Sequence, residues 1–301
     1  MGEECIHGFD EGLCAICSPP AEPDPAVTAA RSRQSRAPGT SHAAAAAAEA
    51  RAATAKASGR AAASARGGRA GATQRAGRGA AGVAEAPVDA ASTRLFHVTH
   101  IDNLGRILGA GALLADAGDP PAEPVVDLSA PAAREFRRTA AVADTGARVA
   151  EYVPFLLSTD AHVWESIRTG APDPRLTAEA LGRPIADHVI LVTSVAAAAG
   201  ARLKTPGEVV VSETDAAVGG TAFAATWAEA ERTLVRLTLA DDGAGLRAAE
   251  VLVRGSVPLE RIALVAVAND RVRDRVRAAL QAVGSKTRVA VYPPWFQAAA
   301  E

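Results

Sequence analysis

The chain has 301 residues, 49% of them hydrophobic, with 32 Lys and Arg against 34 Asp and Glu for a formal charge of −2. That near-neutrality hides three blocks: residues 1–25 carry six acids and no Lys or Arg, residues 26–80 carry nine Arg, one Lys and one Glu for +9, and residues 81–301 sum to −5. No run of roughly 18 uncharged apolar residues exists, and the acidic start lacks the basic-then-apolar layout of a secretory signal, so the composition argues against a membrane span and the expected location is cytoplasmic.

The three cysteines all fall at the start, at positions 5, 14 and 17, with His7 between them. An odd, clustered set with a nearby histidine points to metal rather than disulfides. Cys5-x-His7 and Cys14-x-x-Cys17 supply four thiolate or imidazole ligands, the number and type that a tetrahedral zinc ion takes, while Gly8 and Gly12 permit tight turns between them. The expectation is a closed, structural zinc module over residues 1–20. Residues 21–92 are Ala, Arg, Gly and Ser with few branched or aromatic side chains. Such a stretch cannot bury enough apolar surface to offset its ordering entropy, and it is expected to be a disordered linker with some affinity for nucleic acid.

From Thr93 the character changes. Arg94–Thr99 alternates like a strand, and Asn103–Leu108 follows as a short helix closed by Gly109 and Gly111. Arg134–Val142 reads as a polar helix or ordered loop. Tyr152–Leu157, His188–Ser194 and Glu208–Ser212 are apolar strands, with Pro154 expected to mark an edge or bulge. Phe223–Leu234 has helical spacing. Ala249–Val253 and Ile262–Val267 are short β-rich runs, Asp270–Ala282 is an amphipathic helix and Arg288–Tyr292 a last strand. Many short strands among short helices indicate an α+β domain over residues 93–298.

Four constellations in that domain carry possible chemistry. His97 and Thr99 are two apart on a strand and project to one face, just ahead of a helix start at Asn103. A lone strand histidine is nonetheless more often structural. Tyr152 opens the strand that contains Pro154. Arg134, Arg137 and Arg138 form a cluster that is usually no more than a solvated helix face. Glu250 opens an otherwise apolar strand, which is unexpected for a carboxylate unless it lies at an edge or serves chemistry.

Taken in order, HVTHIDNLGRIL, the arginine cluster, EYVPFLL, VVVSETDAAVGGTAF and AAEVLVRGSVPLERI resemble the DarT family of DNA ADP-ribosyltransferases, the toxin half of toxin–antitoxin pairs. The resemblance spans about residues 93–296. It implies an ADP-ribosyltransferase-type split β-sheet with flanking helices around a cleft for NAD, the co-substrate. It implies Glu250 as the carboxylate that holds the ribose 2′-hydroxyl and stabilises an oxocarbenium-like state. His97, Thr99, Asn103 and Tyr152 then belong to NAD binding. Arg137, with Arg134 as the alternative, is the arginine that orients and activates the acceptor base.

The acceptor implied is a thymidine-type base in single-stranded DNA, with RNA or protein as alternative acceptors. The partner implied is a macrodomain antitoxin. This sequence has Leu156 and Leu157 where the family is aromatic, and His162 and Trp164 are candidates for stacking on a base. A reading from another class, a non-catalytic nucleic-acid or partner-binding module working through the zinc head and the basic arm, also fits the composition.

Overall fold

The computed structural model describes residues 88–142, 145–240 and 243–298. Cys5, His7, Cys14 and Cys17 lie outside the described residues, as does most of the expected linker. The elements run in the order β1 (Arg94–His100), α1 (Leu104–Ala110), β2 (Ala112–Leu114), α2 (Pro131–Thr139), β3 (Tyr152–Leu156), α3 (His162–Thr169), α4 (Ala178–Gly182), β4 (His188–Ser194) and α5 (Val195–Ala199). They continue with β5 (Val209–Ser212), β6 (Phe223–Ala224), α6 (Trp227–Leu239), α7 (Ala244–Ala248), β7 (Glu250–Arg254), β8 (Ser256–Pro258), β9 (Leu264–Val267), α8 (Asp270–Ala282) and β10 (Arg288–Val291). Among the described residues no helix is long and apolar enough to cross a membrane.

Local chemistry accounts for most boundaries. Gly111, at φ +68°, takes the left-handed position that closes α1. Pro131 sits in the first turn of α2, where its missing N–H costs no hydrogen bond. Thr226 and Glu229 form a capping box at the start of α6. Asn269 accepts from the Val272 amide to start α8, whose Val272, Val276 and Leu280 recur every four residues and are buried. Phe223 and Ala224 pair as a short strand rather than joining the helix that their spacing suggested. Ala90, in a 3-10 turn ahead of β1, is buried in the main core, so the folded unit reaches a few residues upstream of Thr93.

Eight strands form one sheet in the order β10-β9-β4-β1-β3-β7-β5-β6, in which only β10 and β9 are parallel. A second, two-stranded sheet pairs β2 with β8, an element that the short runs around them did not announce. The large sheet is parted at its middle. β1 pairs with β4 over its whole length, whereas β1 and β3 share a single registered pair, Phe96↔Leu156.

The core reflects this split. One face carries a continuous cluster that joins Leu104 and Leu108 of α1, Val195 of α5, Leu234 of α6 and Val276 of α8 to Val153, Leu191 and Val251 of the sheet. The opposite face carries two separate clusters: one around Phe96, Trp164, Ile190 and Phe296, the other around Val142, Val149, Tyr152, Val210 and Leu252. A sheet covered by two cores with a gap between them has a ready-made cleft.

Candidate active site

That gap is a cavity of about 310 Å³, within the usual size of a small-molecule site. Phe96 and Trp164 of one flanking core and Val149 and Tyr152 of the other line it, together with His97, Thr99, Arg137 and Glu250. The split explains why residues of both parities on β1 reach it: past Phe96 the strand has no β3 ladder on that edge, so side chains from either face border the gap.

Pro154 belongs to the same device. It pairs with Leu252 in the β3–β7 ladder, so β3 is an interior strand rather than an outer edge. Its carbonyl accepts from Nδ1 of His97 at 2.9 Å across the parting, and a residue's N–H and C=O point the same way from a strand. The missing proline N–H therefore faces the split, the one flank of an interior strand where no ladder bond is lost. A carbonyl can only accept, so His97, a residue of the cavity wall, carries its proton on Nδ1 and leaves Nε2 as an acceptor. Burial lowers the His97 pKa below 6.5, partly offset by the Pro154 carbonyl, which keeps the ring neutral.

Glu250 is the first residue of β7 and is only 4% exposed. Its backbone is pinned to β5, where Ser212 is its registered partner and the Ser212 hydroxyl meets the Glu250 N–H at 3.1 Å. Its carboxylate is met by one guanidinium nitrogen: Arg137 Nη2 donates to Oε1 at 2.8 Å and to Oε2 at 2.9 Å. Burial raises the Glu250 carboxyl above the ordinary 4.5, with the Arg137 charge pulling it back. Burial works against the Arg137 charge, but Glu250 and Asp215 outweigh it and hold the guanidinium above its ordinary value. The pair is a carboxyl group and a guanidinium in direct contact at the wall of the cleft, where burial favours the neutral acid and the Arg137 charge favours the ionised one.

The arginine cluster divides by what each side chain touches. Arg134 joins Asp116 and Asp127, two acids of the long segment between β2 and α2, and Arg138 contacts Asp116 at 3.2 Å. Arg137 alone of the three reaches Glu250, one helical turn beyond Arg134 on α2.

Asn103 lies among the cavity residues with its amide already in use. Its two N–H groups go to Thr99 Oγ1 at 3.0 Å and Val126 O at 2.8 Å, and its oxygen accepts from the Val126 N–H at 2.8 Å. It fastens the 115–130 segment over the cleft and fixes Thr99. Tyr152 is 2% exposed and donates its hydroxyl to Gly207 O at 2.8 Å, so it offers the cavity an immobile ring edge rather than a polar group. Trp164 is buried, with its indole N–H on Trp295 O at 2.7 Å and its ring edge-on to Phe296 and His188. It is a core residue, and the stacking role expected for it does not fit that burial. His162 is exposed at the start of α3 and is absent from the cavity wall.

Four residues around Glu250 escaped the sequence reading: Ser212, Asp215, Arg175 and Asp173. Asp215 Oδ1 lies 3.5 Å from Arg137 Nη2, and its other oxygen is bound by Arg175 Nη1. Arg175 in turn grips Asp173 through Nε at 2.8 Å and Nη2 at 2.5 Å. The chain of charge runs Asp173, Arg175, Asp215, Arg137, Glu250, three acids against two cations. Only the polar run SETD after an apolar strand hinted at any of it, and Asp173 and Arg175 sit in a loop with no pattern.

Among the described residues no three His, Cys, Asp or Glu side chains converge as metal ligands. The family model described as "DarT: ssDNA thymidine ADP-ribosyltransferase, DarT" matches residues 96–297. Among solved structures the chain is similar to a Thermus sp. 2.9 DarT in complex with ADP-ribosylated single-stranded DNA, at 25% identity and TM-score 0.55, covering 68% of this chain and 96% of that one. It is similar also to a Thermus sp. 2.9 DarT in complex with NAD⁺, at 25% identity and TM-score 0.52, covering 68% of this chain and 97% of that one. No match to a curated protein was found.

Proposed function

Because the chain belongs to the DarT family of single-stranded-DNA thymidine ADP-ribosyltransferases, we propose that the split-sheet cleft is where NAD⁺ is cleaved and that Glu250 is the carboxylate that drives the cleavage. The observation that carries this reading is the placement of Glu250: a buried carboxylate, paired with Arg137, in the same cavity as His97.

The reaction breaks the bond between nicotinamide nitrogen and the ribose C1′. Nicotinamide leaves with the electron pair, and positive charge spreads over C1′ and the ring oxygen. A carboxylate that accepts from the ribose 2′-hydroxyl stabilises that charge most when it is fully developed, which lowers the barrier rather than deepening the ground state. With Glu250 ionised, the surrounding cluster of Asp173, Asp215 and Glu250 against Arg137 and Arg175 carries one net negative charge in a low-dielectric wall, the sign that an oxocarbenium ion requires. His97 Nε2 and the Thr99 hydroxyl offer an acceptor and a donor for the hydroxyl and amide groups of the dinucleotide. Asn103 serves by holding Thr99 and the roof segment, and Tyr152 by walling the nicotinamide side.

The acceptor is thymine in single-stranded DNA. In a nucleotide its one ring N–H is N3, which becomes a good nucleophile as its proton leaves to water. Arg137 is placed to stabilise the resulting imidate and to orient it toward C1′, and Arg134 to hold the cleft segment that covers it. N3 lies on the pairing edge, so ADP-ribose there blocks templating, which is the chemistry of a toxin. A macrodomain-type antitoxin that removes the group is the partner we propose, and a cytoplasmic location follows from the same role.

Cys5, His7, Cys14 and Cys17 are proposed as ligands of one structural zinc ion. Their support is residue type and spacing, and metal analysis of the protein purified without chelator checks it at one zinc per chain. The central test incubates the protein with NAD⁺ and defined single-stranded oligonucleotides and weighs the products. A mass increase of one ADP-ribosyl group on thymine-containing strands, lost in Glu250→Gln, is expected. Labelling of RNA or protein with DNA untouched would overturn the acceptor, and no nicotinamide release with any acceptor would overturn the reaction.

A further inference from the structure

Arg137 faces a conflict of duties. In the structure one of its nitrogens is spent on both oxygens of Glu250, yet the proposed chemistry requires that carboxylate to turn to a ribose hydroxyl. A guanidinium that is largely sheltered from water and left without an anion beside it is an uncompensated charge. A second anion stands within reach. Asp215 Oδ1 is 3.5 Å from the same Nη2, and Asp215 is itself only 7% exposed.

Asp215 is also fixed in place, which a useful counter-ion has to be. Its Oδ1 accepts from the Ala217 amide two residues on, its backbone carbonyl accepts from the Thr221 hydroxyl, and its Oδ2 is bound by Arg175. Arg175 is held in turn by both oxygens of Asp173. The backbone of Arg175 serves α2 as well: its carbonyl accepts from the Ala130 N–H at 2.7 Å, immediately ahead of the helix that carries Arg137. One residue thus ties down both the helix that bears Arg137 and the acid that waits beside it.

We propose that Asp215 and Arg175 are a positioning pair for the transfer reaction: Asp215, held by Arg175, takes Arg137 over when the Glu250 carboxylate engages substrate. The handover leaves Arg137 charged and in place for the acceptor base, and it removes Arg137 as a competitor of the ribose hydroxyl. The proposal rests on the assignment of Glu250 above. If the network merely anchored the 213–222 and 170–177 loops, its loss would lower the fraction of folded protein and leave the turnover of the folded fraction unchanged.

The test compares Asp215→Asn, Arg175→Gln, their combination and Glu250→Gln in the full chain. It reads nicotinamide release and transfer to a thymine-containing oligonucleotide as kcat and KM, with pH profiles and thermal unfolding. Misplacing a reacting group by an ångström costs about a hundredfold in rate. Each single variant is therefore expected to lower kcat of transfer about ten- to hundredfold, with KM for NAD⁺ within about threefold, and the combination is expected to be no worse than the poorer single variant. The acidic limb reports whether the charges of the network bear on Glu250 itself. The Asp215 charge raises the Glu250 carboxyl and the Arg175 charge lowers it, so Asp215→Asn moves the limb to lower pH and Arg175→Gln to higher pH. Wild-type kcat in either single variant beside an inactive Glu250→Gln would overturn the positioning pair alone, as would unmoved limbs with losses that follow thermal unfolding. A fully active Glu250→Gln would overturn the site itself.

Discussion

Arg137 and Glu250 are joined by a fork in which one nitrogen serves both carboxylate oxygens, at 2.8 and 2.9 Å, and they come from positions 113 apart in the chain. Opposing forces act on the acid: burial lifts its pKa above 4.5 and the guanidinium pulls it down. The role proposed for Glu250 needs the ionised form, so the acidic limb of nicotinamide release is expected above pH 4.5. Arg137→Gln removes the force that lowers it, and the residual activity of that variant should have its limb at still higher pH. A limb that fails to move, or moves down, would separate the pH dependence from Glu250. Glu250→Gln should lower nicotinamide release about a thousandfold, at the upper end of what one electrostatic contact supplies. Its unfolding midpoint should stay within about 4 °C of wild type, the scale of 1 kcal/mol in a domain of this size, because Asp215 remains beside Arg137.

Asn103 makes three buried side-chain hydrogen bonds, two of them to the Val126 backbone. Asn103→Ala should therefore cost about 2–4 kcal/mol of stability, with each bond worth roughly 1 kcal/mol and the Val126 groups left unsatisfied. The damage should be local. Limited proteolysis is expected to cut first between residues 115 and 130, and KM for NAD⁺ should rise more than kcat falls. Proteolysis spread evenly over the domain would mean that Asn103 supports the whole core rather than the roof of the cleft.

Much of the fold was legible because it follows local rules. β1, α1, β3, β4 and α8 announced themselves by period and caps, and their observed bounds fall within a residue or two of the expected ones. Glu250 stood out for a physical reason as well: a carboxylate that opens an apolar strand has to be accounted for. What stayed hidden is non-local. Nothing in a loop reading DPR tells that Arg175 will reach Asp215 forty residues later. Likewise Pro154, expected at an edge or bulge, lies in an interior strand, and nothing local revealed that its free flank would be a parting in mid-sheet. That Arg137 and not Arg134 meets Glu250 goes with the Asp116 and Asp127 partners of Arg134, which lie 18 and 7 residues before it.

His188 is buried in the middle of the structure, edge-on to His100 and Trp164. Neither of its ring nitrogens has a well-formed hydrogen bond. Burial, followed by the neighbouring His100, lowers its pKa from 6.5 to about 4. A histidine with a depressed folded value contributes stability that is fully present above 6.5 and is lost as pH falls through about 4. At 1.36 kcal/mol per unit the loss is about 3 kcal/mol. Denaturant unfolding of wild type should weaken across that window, and His188→Leu, which cannot take a proton, should flatten the dependence. An equal pH slope in both proteins would place the acid sensitivity elsewhere.

The arm at residues 26–80 carries ten basic side chains and one acid, while the cleft proposed to receive the DNA base is walled by a cluster with one excess acid. A polyanion gains little from approaching such a wall, so the favourable long-range charge has to come from another part of the chain, and the arm has the sign and the density. If the arm neutralises four phosphates of a single strand, the slope of log K against log salt changes by roughly 3. Oligonucleotide binding by the full chain should therefore fall more steeply with salt than binding by a chain beginning at residue 88, ahead of the buried Ala90. At low salt the full chain should bind more tightly, and the two should converge as the charges are screened. Nicotinamide release in the absence of DNA should be the same in both, because every residue of the Glu250 cluster lies downstream of the cut. Equal salt slopes would leave the arm without a part in DNA capture.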